Sequence, residues 1–534
     1  MMNSLPLIAF VHMSPKDFSH WVTSLWLLGV GVGLGLAIVL VVWAVLRVVA
    51  PALALRCSQA VTGPILTPIS IVMGIWVIVA LLGTFVVREP TEILNSLARM
   101  SSTGEDIYTV TIPKLSGNVN EQTGNLPAIR IQEIDEIDTN ELKRFTIQSS
   151  GRFELVAREV GTDEDLATYS IQGGELFEWT RSSKHTLMRK LPSNKQVEFY
   201  ARNDAFDKIK NVSLEIKNVS IVVTTEPAYI EAKSIFYTMM IVAAIYLFYF
   251  LMAMLLPKVM AIAEATATSE MSQLLFLICA TIGCLYMVAA VYIPYHTFGE
   301  DIKVLKHTGL QVMMMLGLIV AIWASSTSIA DEIEGKTALT LLSKPISRRQ
   351  FIFGKYIGIA WTVAVLFIIV TVMFLPAVAS KPVFDQREGT TAEYEPTGEK
   401  GISWQLLHDE TVGIVPGVFL VFMETIVLAS LSVAISTRMP MVANFMVTFG
   451  VYALAHLTPS LLQASSGGFE PVKFVAMLLA IILPPLKDYE VYAAVSAGTE
   501  LPVIYLPGAA LSAILYSAIA MLLALILFED RDLT

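Results

Sequence analysis

The sequence predicts a mainly α-helical, polytopic membrane protein with a β-rich segment between its second and third spans. Of its 534 residues, 55% are hydrophobic and only 15% are charged, whereas a soluble chain of this length would carry roughly 25% charged residues. Uncharged apolar runs of about 20 residues, long enough to cross a bilayer, recur along the chain. One polar stretch, residues 88–234, separates the second run from the third.

Nine runs qualify as membrane spans by length and lack of charge. The first is interpreted as a span because the residues before it lack the basic start of a cleaved signal peptide. Val472–Leu486 is apolar but shorter and is interrupted by two prolines, which predicts a re-entrant or interfacial segment. The nine predicted spans are Leu25–Leu46, Ile65–Val87, Ile235–Leu256, Leu274–Ile293, Leu310–Ile329, Tyr356–Val378, Val412–Ile435, Met441–Leu462 and Ile504–Phe528.

Basic residues in the short loops predict the orientation, because cytoplasmic loops are enriched in Lys and Arg. Residues 331–355 hold Lys336, Lys344, Arg348, Arg349 and Lys355, so this loop is expected to be cytoplasmic. Alternation of the spans then places the loop 380–410 and the polar segment 88–233 outside. The N-terminus would lie outside and the C-terminus inside.

The polar segment 88–234 predicts an extracytoplasmic, β-rich domain, since short alternating runs are separated by turn residues. The predicted strands include residues 107–112, 153–158, 167–171 and 197–200, and a small antiparallel sandwich accommodates them. The sequence Lys-Asn-Val-Ser occurs at Lys210 and again at Lys217. We interpret this repeat as one or two edge-like strands.

Composition and spacing exclude several functions. A net charge of -10 argues against a nucleic-acid partner, because such a surface needs a basic stripe. The three cysteines, Cys57, Cys279 and Cys284, lie in or beside apolar runs, which predicts neither a disulfide framework nor a Cys-based metal site. The histidines are scattered and predict no metal site, although His456, in the outer half of a span, is worth attention.

Four glycines alternate in the first span, at Gly29, Gly31, Gly33 and Gly35. They could be mistaken for a dinucleotide-binding loop, but they form two overlapping G-x-x-x-G pairs inside an apolar run. Such pairs indicate close packing between membrane helices.

Gly335-Lys336-Thr337 matches the last three residues of a nucleotide-binding P-loop. A P-loop requires the full pattern G-x-x-x-x-G-K-[ST] after a buried strand. The first glycine of that pattern would be residue 330, which is Ala330, and the chain reaches it from an apolar span. We therefore expect no ATP to bind here. Glu332 and Lys336 are instead spaced as an ion pair that supports a helix.

The same stretch predicts a helix, a break and a second helix. Pro345 disfavours helix at the residue before it. Ser347 and Gln350 have the spacing of a capping box, so the second helix is predicted to start at Arg348 and to run into the next span. We call residues 330–355 the coupling stretch. By its physical chemistry alone, it is equally well an elbow at the membrane surface whose basic side chains contact anionic lipid headgroups.

The coupling stretch resembles the cytoplasmic coupling region of ABC transporter permeases of the type-2 export class. The family pattern has an acidic start, a Leu-Leu-Ser-x-Pro-[Val/Ile]-Ser-Arg centre and a Gly-Lys pair before the next span. The C-terminal Phe528, Arg531, Asp532 and Leu533 resemble the usual finish of the family. The resemblance extends from Ser272 to residue 534. Its matching residues in the coupling stretch are Glu332, Gly335, Thr337, Leu341, Leu342, Ser343, Lys344, Pro345, Ile346, Ser347, Arg348, Gly354 and Lys355.

The resemblance implies a permease subunit with no catalytic residue, cofactor or metal of its own. ATP and Mg would be bound by a separate ABC ATPase subunit, and a second permease subunit, identical or different, would complete the transporter. Leu341, Leu342 and Ile346 would be apolar contacts with the ATPase, and the charged residues would orient it. The implied coupling residues are Asp331, Glu332, Glu334, Gly335, Lys336, Thr337, Leu341, Leu342, Ser343, Pro345, Ile346, Ser347, Arg348, Arg349, Gly354 and Lys355.

The predicted spans and the resemblance together predict the domain organisation and the location, a bacterial cytoplasmic (inner) membrane. Residues 1–87 would hold two helices, 88–234 the extracytoplasmic domain, 235–271 the third helix with a cytoplasmic linker, and 272–534 a six-span core. The three extra spans and the external domain depart from the minimal family pattern. Export is therefore implied without a particular substrate.

Glu424 lies near the middle of a predicted span, where a carboxylate costs a few kcal/mol unless it is paired or neutral. One interpretation is a residue of the transport pathway or of a dimer interface. The other is a structural hydrogen bond to a neighbouring span.

Three functions other than a transporting permease were compared with the sequence. A permease-like subunit could transmit ATPase work to an extracytoplasmic partner through residues 88–234 without moving solute. A membrane enzyme is disfavoured because the sequence has no G-x-S-x-G or H-E-x-x-H motif and no paired intramembrane aspartates. An ion-coupled transporter would show internal repeats with broken helices, and none is recognisable.

Overall fold

The apolar runs form long helices, because a segment in lipid has to satisfy its backbone polar groups internally. The structure is a computed structural model, and it describes residues 15–101, 103–112, 128–132, 134, 136–139, 141–162, 165–180, 195–202, 216–293, 295, 300–330, 332, 347–388, 403–465, 470–499, 501–502 and 504–529. The contacts divide the chain into two compact units. The first unit consists of Met1–Arg88 and Ser234–Thr534, and the second consists of Glu89–Lys233.

The first unit is helical. Its helices are α1 (Pro15–Val49), α2 (Pro51–Val61), α3 (Leu66–Gly83), α5 (Lys233–Leu255), α6 (Pro257–Met271), α7 (Leu274–Val291), α8 (Asp301–Ser325), α9 (Arg348–Glu388), α10 (Trp404–Gly413), α11 (Val415–Ser436), α12 (Met441–Ser465), α13 (Glu470–Ile482), α14 (Tyr492–Ser496) and α15 (Tyr505–Glu529). Helix α4 (Pro90–Arg99) belongs to the second unit. A π-helical turn, Ser326–Ala330, follows α8, and we call it the π turn.

Within the described ranges, nine helices are long and apolar enough to cross a membrane. Each coincides with one of the nine predicted spans, which confirms a polytopic membrane protein. Several spans are longer than predicted. Helix α1 begins at Pro15 and α8 at Asp301, α9 continues past Val378 to Glu388, and the helices around Glu424 begin at Trp404. The short apolar segment forms α13, which ends before Pro484.

The alternating glycines of α1 face two different helices. A Cβ atom on Gly29 would lie 2.5 Å from the Ala80 Cβ of α3, whereas one on Gly31 would lie 2.8 Å from the Ile235 backbone oxygen of α5. Gly35 likewise faces α5. Each G-x-x-x-G pair therefore allows one neighbour to approach closely, and the predicted packing role is confirmed.

Hydrogen bonds also connect α1 to helices far along the chain. The His408 ring of α10 is buried, with Nδ1 3.1 Å from the Ser24 backbone oxygen and Nε2 2.8 Å from Ser234 Oγ. The Trp21 indole donates to the Pro376 carbonyl of α9 at 3.3 Å. Since the carbonyl of Ser24 can only accept, the proton on this imidazole lies on Nδ1.

The second unit contains two antiparallel sheets. Its strands are β1 (Glu105–Ile112), β2 (Ala128–Arg130), β3 (Ile137–Asp138), β4 (Leu142–Gln148), β5 (Phe153–Glu159), β6 (Asp165–Ile171), β7 (Leu176–Thr180), β8 (Gln196–Arg202) and β9 (Ile216–Thr225). One sheet has the order β1-β9-β4-β7, and the other has the order β2-β8-β5-β6, with β3 also paired to β8. The four predicted strands are all present.

Aromatic side chains fill the space between the sheets. Phe145 of β4 contacts Tyr169 of β6 and Phe199 of β8, with ring centroids 5.5 and 5.8 Å apart. Alternation along β5 buries Phe153, Leu155 and Ala157 in the same cluster. One expectation is wrong, because β9, which contains the second Lys-Asn-Val-Ser copy, is an inner strand between β1 and β4 and not an edge strand.

Candidate coupling site

The structure describes both ends of the coupling stretch. Glu332 is described on its N-terminal side, and the chain is described again from Ser347 onwards. The residues at these two ends determine how the stretch is held. The sequence-predicted coupling residues that lie outside the described residues are Asp331, Glu334, Gly335, Lys336, Thr337, Leu341, Leu342, Ser343, Pro345 and Ile346.

A reciprocal capping box begins the helix on the C-terminal side. The backbone N–H of Gln350 donates to Ser347 Oγ at 3.2 Å, and the backbone N–H of Ser347 donates to Gln350 Oε1 at 3.1 Å. Two amide donors at this helix end are thus satisfied within four residues. Helix α9 begins at Arg348, as predicted, and continues without a break into the span.

The first turn of α9 is bound to the end of the last span. The Arg348 guanidinium donates to the Glu529 carbonyl at 3.0 Å and lies over the Phe528 ring. Phe528 is buried and stacks on Phe351, with centroids 5.9 Å apart. Arg348 and Arg349 are both exposed, and Arg348 contacts its own chain. The predicted terminal residues Arg531, Asp532 and Leu533 lie outside the described residues.

Two glycines bring α9 against α6. A Cβ on Gly354 would lie 2.7 Å from the Ile262 Cβ, and one on Gly358 would lie 2.7 Å from the Ala263 backbone oxygen. Any larger residue would push the two helices apart. Gly354, predicted from the family pattern, thus has a packing role that its position in the pattern does not reveal.

An ion pair joins the two ends of the coupling stretch. Lys355 Nζ lies 2.6 Å from Glu332 Oε1, and the Lys355 side chain is buried. Lys355 also lies over the Phe351 ring. Because it is enclosed and paired, Lys355 connects α9 to the start of the stretch. The predicted Glu332–Lys336 pair stays a prediction, since Lys336 lies outside the described residues.

The N-terminal side ends in the π turn, a rare form that recurs at functional sites. Four consecutive hydroxyl residues, Ser325, Ser326, Thr327 and Ser328, accompany it. Each donates back to a carbonyl one turn earlier, for example Ser326 Oγ to Ile322 at 2.8 Å. These bonds satisfy carbonyls in a segment where the regular α-helical pattern is lost.

Asn444 of α12 bridges the π turn to two other helices. Its Nδ2 lies 3.1 Å from Ser325 Oγ, 3.0 Å from Ser326 Oγ and 2.9 Å from Ser432 Oγ of α11. Its Oδ1 accepts from Thr448 at 3.1 Å. All five side chains are buried. We call these residues the Asn444 cluster, and they connect α8, α11 and α12.

A second set of polar contacts holds the π turn from the side of α6. Thr327 Oγ1 lies 3.0 Å from Glu270 Oε2, and the Gln273 amide donates to the same carboxylate oxygen at 2.9 Å. The Trp323 indole donates to Gln273 Oε1. Glu270 is buried. Helix α6 therefore contacts both sides of the coupling stretch, the π turn here and α9 at its glycines.

Glu424 lies in α11 with none of its surface exposed. His456 Nε2 of α12 is 3.4 Å from Glu424 Oε1, which is within ion-pair distance but longer than a normal hydrogen bond. His456 Nδ1 is 3.0 Å from the Tyr452 carbonyl, which can only accept, so Nδ1 carries a proton. Glu424 and His456 therefore face each other between α11 and α12.

A buried charge cluster that sequence analysis missed lies elsewhere in the helical unit. Lys381 of α9 is 3.0 Å from Asp385 Oδ1 and 3.7 Å from Asp301 Oδ2, and all three are buried. Lys306 pairs with Glu410. Helix α9 carries Lys381 because it continues beyond the predicted end of the span. Lys306 and Lys381 lie just outside the ends of the predicted apolar runs, so no sequence signal indicated that they would be buried.

No grouping of three or more His, Cys, Asp or Glu residues that could hold a metal ion occurs among the described residues. The chemistry of the sites above consists of hydrogen bonds, ion pairs and helix packing. Such sites can position helices and carry mechanical force.

Nine candidate spans among the described residues define an integral, multi-pass membrane protein. The chain belongs to the family described as ABC-2 family transporter protein, whose sequence profile matches residues 228–533, more than half of the chain. This confirms the resemblance to ABC-2 type permeases. The match begins before Ser272, the start of the resemblance in the sequence, and so includes α5 and α6. No curated protein matches the chain.

Proposed function

We propose that this chain is the membrane-spanning permease subunit of an ABC transporter that exports a substrate. Permeases of the family are generally noncatalytic membrane subunits that act with an ATPase subunit, which supports the proposal. ATP and Mg would be bound by that partner. A second permease subunit, identical or different, would complete the assembly in a bacterial cytoplasmic membrane, with residues 88–234 on the outer side.

The observation that carries the proposal is the continuous helix α9, which starts at Arg348 and is capped by Ser347. An ATPase can move a membrane helix only if its contact point and the span are one rigid element. The capping box, the Arg348 contact with Glu529 and the close packing at Gly354 give α9 this property. A loose surface elbow would need none of these contacts.

The coupling role is tested by replacing the predicted apolar contacts. An affinity-tagged chain with Leu341→Asp and Leu342→Asp is purified in mild detergent, and co-purifying proteins are identified by mass spectrometry. We expect a protein with ABC ATPase motifs to be present with the wild type and lost with the variant. Leu176→Asp, at an exposed position of β7, is the control.

Equal recovery of the ATPase with wild type and variant would overturn the coupling assignment. Equal amounts of both chains in the membrane fraction are required, because a chain that fails to insert would also lose its partner. Absence of any ABC ATPase from the wild-type sample would overturn the proposed function itself.

For Glu424 we propose the structural role, a polar connection between α11 and α12. The His456 contact supports it, because it joins neighbouring spans within one chain. Glu424→Gln and His456→Gln should each lower the thermal unfolding midpoint in detergent and leave ATPase recovery unchanged. Normal stability with altered ATPase activity would instead favour a place in the transport pathway.

The β-rich unit favours a second candidate function. In that function, the work of the ATPase passes to an extracytoplasmic partner. Its two sheets enclose an aromatic core, so it is a folded unit of its own and larger than a connecting loop. Vesicles with both subunits separate the two functions. ATP hydrolysis that drives the release or uptake of native membrane metabolites favours transport, whereas hydrolysis without solute flux favours transmission.

A further inference from the structure

The coupling stretch needs a firm connection on its N-terminal side as well as at Ser347. Glu332 lies just beyond Ala330, the last residue of the π turn, so the position of this turn sets where the stretch begins. Serine and threonine side chains that bond back to their own helix tend to bend it. The hydroxyls of residues 325–328 therefore make the π turn but do not fix its direction.

Asn444 has the chemistry to fix that direction. An amide offers two donors and an acceptor in one plane, and here they reach α8 and α11 from α12. Hydrogen bonds among fully buried groups are strong, and groups that lose their partners there are costly. An apolar side chain of similar size would fill the space without holding the three helices in register.

The contacts form a closed circuit that links the two described ends of the coupling stretch. On one side of the π turn is the Asn444 cluster, and on the other side Glu270 of α6 binds Thr327. Helix α6 in turn packs against α9 at Gly354 and Gly358. The Glu332–Lys355 pair closes the circuit.

We propose that Asn444 is the positioning residue for coupling. It makes the end of α8, α11 and α12 one rigid body, so that a displacement of the coupling stretch reaches all three helices together. Asn444 contacts neither ATP nor the ATPase. The inference rests on the proposed function, because an ATPase has to supply the displacement.

The first test needs no ATPase. Hydrogen exchange of the purified chain in detergent is followed in peptides that cover residues 326–332. We expect Asn444→Ala to raise the exchange rate there at least tenfold. Thr458→Val is the matched control, since Thr458 is buried on the same helix but bonds to the Leu454 carbonyl of that helix. Unchanged exchange in Asn444→Ala would overturn the proposal.

The second test uses a removable crosslink. Ser325 Oγ and Ser432 Oγ are 2.5 Å apart, close to the roughly 2.0 Å of a disulfide, so Ser325→Cys with Ser432→Cys can join α8 to α11. The three native cysteines, Cys57, Cys279 and Cys284, are free and are first replaced by alanine. Hydrogen exchange is then measured in the complex with its ATPase, with and without ATP.

In the wild type, ATP should change exchange in α11 and α12 as well as in the π turn. Asn444→Ala should confine the change to the π turn while the ATPase still co-purifies. Oxidation of the cysteine pair in the Asn444→Ala background should restore the change in α11, which the pair joins to α8, but not the change in α12, and a reductant should remove the restored change again. This reversal separates positioning from a general loss of fold.

Two results would overturn the proposal. One is a crosslink that stops the ATP-dependent change in the chain with native Asn444, because the π turn would then move against α11. The other is a joint change that survives Asn444→Ala. If no ATPase binds the wild type, the proposed function fails, and the first test still reports on Asn444.

Discussion

The two ends of the coupling stretch are held by different kinds of structure. At one end, Ser347 and Gln350 cap a helix that then continues as a membrane span. At the π turn, the holding groups come from other helices, and Asn444 is 119 residues away from Ser325 along the chain. A local cap fixes where a helix begins, whereas a cluster of distant side chains fixes how helices are placed against each other.

The difference has a consequence for mutations. A local cap can be exchanged for another capping residue with little effect elsewhere. The Asn444 cluster serves three helices at once, so a change there spreads to all of them. Helix α6 is the part that both ends share.

The largest expected effect is at this shared helix. In Gly358→Val the new Cβ would lie 2.7 Å from the Ala263 carbonyl and from the Thr266 Cβ, and overpacking of this kind costs about 3 kcal/mol. Both ends of the coupling stretch should loosen in hydrogen exchange. Gly450→Val is the control, because nothing lies within 4 Å of its Cβ position. Equal unfolding midpoints for the two variants would contradict the packing role.

Removal of Asn444 is expected to be next in size. Asn444→Ala leaves Ser432 and Thr448 without their amide partner, which corresponds to about 2 kcal/mol in unfolding free energy. Detergent-solubilised protein titrated with a denaturant gives this value. Thr448→Val removes a single bond and should cost less. A smaller loss for Asn444→Ala than for Ser347→Ala would reverse the comparison between the two ends.

The next largest effect is expected for the ion pair between Glu332 and Lys355, which a double-mutant cycle measures. Glu332→Gln replaces the carboxylate that Lys355 contacts by a neutral amide. We expect about 2 kcal/mol of destabilisation, as for loss of a hydrogen bond to a charged group. In a chain that already carries Lys355→Met, Glu332→Gln should be nearly neutral, because the ion pair is then already gone. Additive effects of Glu332→Gln and Lys355→Met would show that the pair does not connect the two ends.

The smallest effect is expected at the cap. Ser347→Ala should cost about 1 kcal/mol, and Ser347→Asp should retain most of the stability because aspartate also caps helices. Ser403→Ala, at the cap of α10, should cost a similar amount without altering ATPase recovery. Loss of the ATPase in Ser347→Asp would mean that Ser347 contacts the partner directly.

Sequence reasoning succeeded where the cause of a structure is local. The spacing of Ser347 and Gln350 defined the start of α9, and the glycine pairs of α1 indicated its close packing. It missed the Asn444 cluster, since no local pattern links Asn444 to residues more than 100 positions earlier. The run Ser325-Ser326-Thr327-Ser328 was a visible signal, because four hydroxyl residues at the end of a span need partners.

The hydrogen bonds of His408 bear on how modular this protein is. The family match begins at residue 228, yet His408 inside it contacts Ser24, and the Trp21 indole binds the Pro376 carbonyl. A shortened chain that starts where the match starts would lose the Ser24 carbonyl that the His408 imidazole contacts. The boundary of the family match is therefore not a boundary of side-chain contacts, and the N-terminal helices are part of the same packed helical unit.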